Sequence, residues 1–444
     1  MNKQELKWAA IIPLIGGMPI AMEKVTGHQP EYVMSYRYFE GNDKHYINYL
    51  RTHNWKGTYY VIDGLSKTNE NEQVDSEVSR FDLSSIKECE GDLSTIQEVD
   101  VVVGVPPCAG LTSFCAHNNP EVNDWMINAS KFVMENVRPK VYCFENAPRL
   151  GTEKGKPVAS QIEALAEEFG YTFLIYTTES RMHGNPQIRP RSFGILYKKE
   201  YFGDSIRTLV NAEKPLGNFE DFIKAIDEEM KDKPKTGTDT LINSTDPKDD
   251  PFYAYCYEKT GATSHRDFIE KVVDKHTSTN LKQYALSHDT LDNLEAWFNE
   301  HNYPGAVKFI QRVRTKTADG KGVWMHGITA AREETPAFIG VQPWSLLHPY
   351  ECRYLTLREG LALMAMPADF EIYNERPLND SNHICQNVPV GTAYDILEEV
   401  ANRICNPSEN VLEGVSYAVQ RHKQKDVQIR KQAEASMAPE LFED

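Results

Sequence analysis

The sequence is short of three things: long apolar runs, closely spaced metal ligands and positive charge. No apolar stretch approaches the roughly 20 residues that a membrane-spanning helix needs, so no membrane partner is expected. The opening MNKQELKWAAIIPLIGG has a brief apolar part that runs straight into a glycine turn, which is not the pattern of a secretory leader. A cytoplasmic location is the expectation. The 8 cysteines contain no CxxC pair and no neighbouring cysteine and histidine ligands, so a metal centre is not expected and a reducing compartment is. Asp and Glu (65) outnumber Lys and Arg (48), giving a formal net charge of −17. That excludes a generic coat for nucleic acid, but leaves room for one basic cleft on an acidic body.

What is present is an ordinary globular composition, 40% hydrophobic and 25% charged, on a chain of 444 residues. That length accommodates two or three domains and a sizeable core. The stretch Val99 to Val105 is a continuous apolar run, the signature of a parallel strand buried on both faces. It stops at Pro106-Pro107, and Cys108 follows at once. A cysteine at the carboxyl edge of a parallel strand lies where open α/β sheets bind ligands; a buried packing cysteine is the alternative. Near the start, Trp8 to Leu14 reads as a strand, Gly16-Gly17 as a turn and the residues to Val25 as a helix. Strand, glycine turn and helix form the plan of a nucleotide-binding unit, in which the helix start offers free N–H groups. Further strands are expected at Tyr32–Tyr36, Val141–Phe144, Tyr171–Thr177 and Ser192–Tyr197, with helices at Trp125–Val137 and Ser160–Phe169.

Four segments follow one another in order: Pro106-Pro107-Cys108, Phe144-Glu145-Asn146-Ala147-Pro148, Gln187-Ile188-Arg189-Pro190-Arg191 and Arg353-Tyr354-Leu355-Thr356-Leu357-Arg358-Glu359. Together they resemble the PPC, ENV, QxRxR and RxLTxRE segments of the cytosine-C5 DNA methyltransferase family. The resemblance covers roughly residues 9–200 and 346–402. It implies a Rossmann-like S-adenosylmethionine-dependent methyltransferase fold, α/β, with a smaller inserted target-recognition domain. It also implies catalysis by Cys108, Glu145, Arg189 and Arg191. The methyl donor, S-adenosylmethionine, is expected at Gly16, Gly17, Glu40, Asp92, Pro106 and Asn387, with Asp43 a second acidic residue beside Glu40. The cofactor loop departs from the family pattern: Ile12 stands in place of an aromatic residue and Leu14 in place of the first glycine. In the late turn Ile384-Cys385-Gln386-Asn387-Val388-Pro389, Cys385 replaces a glycine and Gln386 an asparagine.

The expected organisation is a catalytic and cofactor-binding domain over residues 1–200 and a target-recognition domain over 201–345. A return segment, 346–405, completes the first domain, and a helical tail occupies 406–444. Within the inserted part, Val307 to Met325 reads as a hairpin around Ala318-Asp319-Gly320-Lys321-Gly322. Lys308, Arg312, Arg314 and Lys316 make it the most basic stretch there, and they are the expected nucleic-acid contacts. The partner expected from the resemblance is DNA, bound by a monomer in a modification role. Two other readings stay open: the same cysteine and glutamate chemistry on another substrate such as tRNA or with another carbon donor, and a weakly catalytic binding protein.

Overall fold

The computed structural model describes residues 2–36, 39–62, 93–107, 111, 122–203, 214–231, 239–274, 278–323, 325–338, 342–372 and 383–406. A seven-stranded sheet forms the centre. Its strands are β1 (Trp8–Ile11), β2 (Tyr32–Tyr36), β3 (Thr58–Ile62), β4 (Val101–Gly104), β5 (Val141–Asn146), β6 (Tyr171–Glu179) and β8 (Pro190–Lys198). The order is β3-β2-β1-β4-β5-β8-β6. The first five are parallel, and β8 runs antiparallel between β5 and β6. Every residue of β1, β2, β4 and β5 is buried. This is why β1 and β4 read as unbroken apolar runs, and each fully buried Val or Ile contributes about 1.5–3 kcal/mol to the core.

The helices α1 (Gly17–Thr26), α2 (Glu40–Thr52), α3 (Val122–Phe132) and α4 (Lys156–Glu168) connect the strands, and the short α5 (Lys199–Phe202) follows β8. From β1 the chain passes through α1 to β2 on one side, whereas β4 lies on the other. The strand order therefore reverses at β1 and β4, and a crevice opens beyond their carboxyl ends. Ile11 and Gly104 are paired there, and Val105 N–H donates to the Ile12 carbonyl at 3.2 Å.

A second, smaller core gathers Phe252, Phe268, Leu294, Phe298, Phe309 and Ile310. It is built from α7 (Pro251–Thr260), α8 (His265–Val272), α9 (Leu281–His288), α10 (Leu291–Glu300) and α11 (Pro304–Ala318), with β9 (Ser278–Asn280) pairing antiparallel to β10 (Thr329–Ala331). Four of these helices begin where a short polar side chain accepts backbone N–H groups of the first turn: Asp250, Ser264, Asn280 and Thr290. Before them, α6 (Phe219–Met230) packs into the main core through Phe219 and Ile223.

The segment expected to be a hairpin is the helix α11. Its buried residues Ala306, Phe309, Ile310 and Val313 fall three and four apart, a helical stripe that outweighs the turn residues at its end.

After the inserted part the chain returns. A two-residue strand β11 (Thr335–Pro336) pairs with β7 (Gln187–Ile188), immediately before β8. The short α12 (Gln342–Ser345) and α13 (Leu357–Leu363) lead to the long helix α14 (Val390–Cys405), which packs along α1. Thr356 and Glu359 cap the start of α13 reciprocally, so the Thr and Glu of RxLTxRE have a local structural task.

Candidate active site

Gly104 ends β4, and the chain continues through Val105, Pro106 and Pro107 at the mouth of the crevice. The neighbouring strand β5 carries Glu145 and Asn146 at its carboxyl end. Asn146 ties the two strand ends together: its Nδ2 donates to the carbonyls of Pro106 at 3.1 Å and Pro107 at 3.4 Å. Its Oδ1 accepts the N–H of Ala147 at 2.9 Å. A side chain spanning both strand ends fixes the point at which the chain leaves Pro107 toward Cys108. Cys108 lies outside the described residues. Sequence reasoning gave Asn146 no role in the site; its fixed place directly after Glu145 was the available signal.

Glu145 is buried, and its Oε1 lies 2.5 Å from Arg191 Nε. Burial pushes its carboxyl above the ordinary value, while Arg191 and then Arg189 pull it down.

Arg189, two residues before Arg191, is directed elsewhere. It is fully buried, with Nη1 donating to Phe338 O at 2.6 Å and Nη2 to Cys385 O at 2.5 Å and Asn387 O at 2.7 Å. The structure brings Glu145 and Arg191 into direct contact and places Arg189 against backbone carbonyls of the return turn.

The glycine loop closes the other side. Gly16 has φ 99°, a left-handed conformation, and a Cβ there would meet the Tyr46 ring at 2.5 Å. Gly17 donates its N–H to Asn387 Oδ1 at 2.8 Å, and a Cβ there would lie 2.2 Å from Val388 O. Leu14 has φ 51°. The residue in the place of a glycine therefore keeps a backbone conformation that glycine adopts without strain. Asp43 is buried and accepts the Leu14 N–H at 3.0 Å and the Tyr59 hydroxyl at 3.2 Å, so it braces this loop from behind. Glu40 opens α2. Asp92 lies outside the described residues. Burial pushes the Cys385 thiol up to about 12, so it stays protonated.

The left-handed backbone at Leu14 and Gly16 fits the turn of a nucleotide-binding unit, and Gly17 packs against Asn387 and Val388 of the return turn behind it. Lys308, Arg312 and Arg314 are exposed on α11, and Lys316 is half-buried there. Lys308, Arg312 and Lys316 follow one another at four-residue spacing along one face. Arg314 pairs with Asp292 at 2.7 Å and Glu295 at 3.0 Å.

Among the described residues, Asp227, His348 and Glu359 form the one cluster of three metal-type ligands. Glu359 is held by Arg353 at 3.0 and 2.8 Å, and His348 Nδ1 accepts the N–H groups of Tyr350 and Glu351. It is an ion-pair and hydrogen-bond network joining α6 to α13. No described helix is long and apolar enough to cross a membrane.

The sheet and its crevice define an open α/β fold of the nucleotide-binding class, with a carboxylate–arginine pair beside a Pro-Pro loop. The family model described as C-5 cytosine-specific DNA methylase matches residues 43–402, and the chain belongs to that family. Its members are S-adenosylmethionine-dependent methyltransferases. The chain is similar to the type II methyltransferase M.Bpa9945I of Bacillus paralicheniformis, with 24% identity over 307 residues, 64% of this chain and 66% of that protein. It is also similar to the type II methyltransferase M.AgeI of Thalassovita gelatinovora, with 29% identity over 131 residues, 30% of this chain and 28% of the relative. Neither match reaches two thirds of the relative's length. Among solved structures, the Entamoeba histolytica methyltransferase EhMeth aligns with a TM-score of 0.46 and 11% identity, covering 90% of this chain and 98% of that one.

Proposed function

We propose that the chain is a DNA methyltransferase that transfers a methyl group from S-adenosylmethionine to C5 of cytosine, with Cys108 as nucleophile. The observation that carries this reading is the buried Glu145–Arg191 pair beside the Pro106-Pro107 exit that Asn146 holds.

Cytosine C5 is a weak nucleophile until a thiolate adds to C6. Addition of the Cys108 sulfur pushes an electron pair through the ring toward C5 and N3. Glu145, its carboxyl raised by burial, supplies a proton or hydrogen bond at N3. General acid help of this type is worth about 10²–10⁴-fold. Arg191 anchors Glu145 and offers its remaining N–H groups to the base oxygen O2. When bound, S-adenosylmethionine supplies an electrophilic methyl group for C5; Gly16, Gly17, Glu40, Asp92, Pro106 and Asn387 would hold it. Loss of the C5 proton to a base then restores the C5–C6 double bond and expels the Cys108 sulfur. The target base must leave the duplex to be reached. The exposed basic side chains of α11 would position the DNA backbone.

The test is a covalent trap on DNA carrying 5-fluorocytosine, whose C5 substituent cannot leave as a proton. The account expects a stable protein–DNA adduct that requires S-adenosylmethionine and disappears in Cys108→Ala. An adduct on RNA alone would move the activity to the tRNA-type substrate, and no adduct on either would contradict the covalent reading.

A further inference from the structure

The two ends of the crevice, one for the base and one for the cofactor, come from segments far apart in sequence. A single buried side chain joins them. Arg189 is a fully buried cation, a costly group unless hydrogen bonds compensate its charge. Both hydrogens of its Nη2 go to the Cys385 and Asn387 carbonyls, and Nη1 donates to Phe338 O at the end of the inserted part. Asn387, the residue whose carbonyl Arg189 grips, accepts the Gly17 N–H through its side chain. Asn387 Nδ2 also lies 3.3 Å from the Met366 sulfur, so its amide orientation is set on both sides. Two residues beyond Arg189, Arg191 pairs with Glu145.

Around it the same stretch is wired to the return segment and to the end of the inserted part. Gln187 Nε2 donates to Leu363 O at 3.1 Å, Thr335 N–H donates to Pro186 O at 3.0 Å, and Arg181 pairs with Glu334.

The geometry points to Arg189 as a positioning residue: it sets cofactor affinity by holding the Cys385–Asn387 turn against Gly17, and it does not contact the base. This rests on the S-adenosylmethionine reading above. The division of labour follows from the donors. A planar guanidinium fork presents several N–H groups in fixed directions and matches a set of converging carbonyls, which the compact ammonium of lysine satisfies only in part. Arg191 has the carboxylate partner and the place beside the base-handling end; Arg189 has the turn.

The experiment uses the full chain with Arg189→Met, Arg189→Lys and Arg191→Met. Two readouts need no turnover: amide exchange at Gly17 in cofactor-free protein and S-adenosylmethionine affinity by calorimetry. Arg189→Met is expected to speed Gly17 exchange and weaken the affinity by about tenfold, as loss of one or two positioning hydrogen bonds predicts. Arg189→Lys should fall between it and the unaltered protein. Steady-state KM for S-adenosylmethionine should rise more than kcat falls. Arg191→Met should do the reverse, losing kcat with the affinity kept.

Should Arg189→Met not fold, Arg189→Lys, which keeps the charge and loses the fork, must show the same faster Gly17 exchange and weaker affinity to a smaller degree. The inference is overturned if Arg189→Met, or Arg189→Lys in its place, keeps Gly17 protection and affinity. It is also overturned if Arg189→Met loses only kcat. An unaltered protein that binds no S-adenosylmethionine would contradict the function reading, whereas Gly17 exchange reports on the Arg189 link by itself.

Discussion

Glu145 meets two opposed demands: burial favours its neutral form, and Arg191 at 2.5 Å favours the carboxylate. Glu145→Gln keeps the shape and removes the acid. It should lower kcat by about 10²–10⁴-fold while leaving S-adenosylmethionine affinity unchanged, measured by steady-state kinetics and calorimetry. Asp43 makes a different prediction. Asp43→Ala strands the buried Leu14 N–H, which costs about 1–3 kcal/mol, and should lower the thermal midpoint together with cofactor affinity. The types of Glu145 and Arg191 and their place at strand ends were legible in the sequence. The separation between Arg191 and Arg189 was not, because spacing says which face a side chain leaves from, not what meets it 149 or 198 residues away. Asp43 was hidden for the same reason: beside Glu40 in sequence it resembles a second ribose contact, yet its carboxylate turns inward to Leu14 and Tyr59.

The helices α1 and α11 show where element-scale reading works and where it fails. Strand, glycine turn and helix were plain at β1 and α1, because glycine takes without strain the left-handed conformation that the turn adopts at Gly16. Gly17→Ala should push the return turn away, since the new Cβ would lie 2.2 Å from Val388 O and 2.4 Å from Asn387 Oδ1. A lower thermal midpoint and weaker S-adenosylmethionine binding are the expected outcome. α11 read as a hairpin because Ala318-Asp319-Gly320-Lys321-Gly322 is a strong turn signal; the helical stripe from Ala306 to Val313 precedes it and decides the element. The helix also sorts its basic residues. Replacing Lys308, Arg312 and Lys316 by alanine should weaken DNA binding and reduce the salt slope by about 0.9 for each phosphate no longer neutralised. Arg314→Ala, whose charge is already matched by Asp292 and Glu295, should change that slope little.

At the scale of the whole molecule, a segment that returns after the inserted helices packs against the main sheet unit, and buried and half-buried histidines lie along it. His45 and His383 meet at 3.1 Å between α2 and the return turn, and His348 accepts backbone N–H groups near Asp227. Burial lowers His348 and His383 to about 4, and also lowers His265 and His45. Unfolded histidine titrates near about 6.5, so between roughly 6.5 and 4 the unfolded chain binds more protons and stability falls as the pH falls. Asp227, raised to about 6 by burial and then Glu359, acts with the opposite sign: its contribution is present below its unfolded value of 3.8 and is lost as pH rises through about 6. Glu23, Glu145 and Asp250, also raised by burial, act with Asp227, and His326, lowered by burial, acts with the other histidines. The histidines, whose unfolded value of about 6.5 lies inside the interval from pH 7 to 5, set the sign. The urea midpoint should therefore be lower at pH 5 than at pH 7, and a flat or inverted profile would contradict this balance. Arg353 to Glu359 and Asn387 were legible as motif residues. The ties that hold the return segment to the main sheet unit, such as Arg189 to Cys385, form only in three dimensions.

Nucleoside mass spectrometry on DNA and RNA from cells expressing the unaltered protein or Cys108→Ala tests the central claim most directly. The account predicts 5-methylcytosine in DNA that vanishes with Cys108→Ala. No Cys108-dependent methylcytosine in DNA, whether the mark appears only in RNA or nowhere, would contradict it.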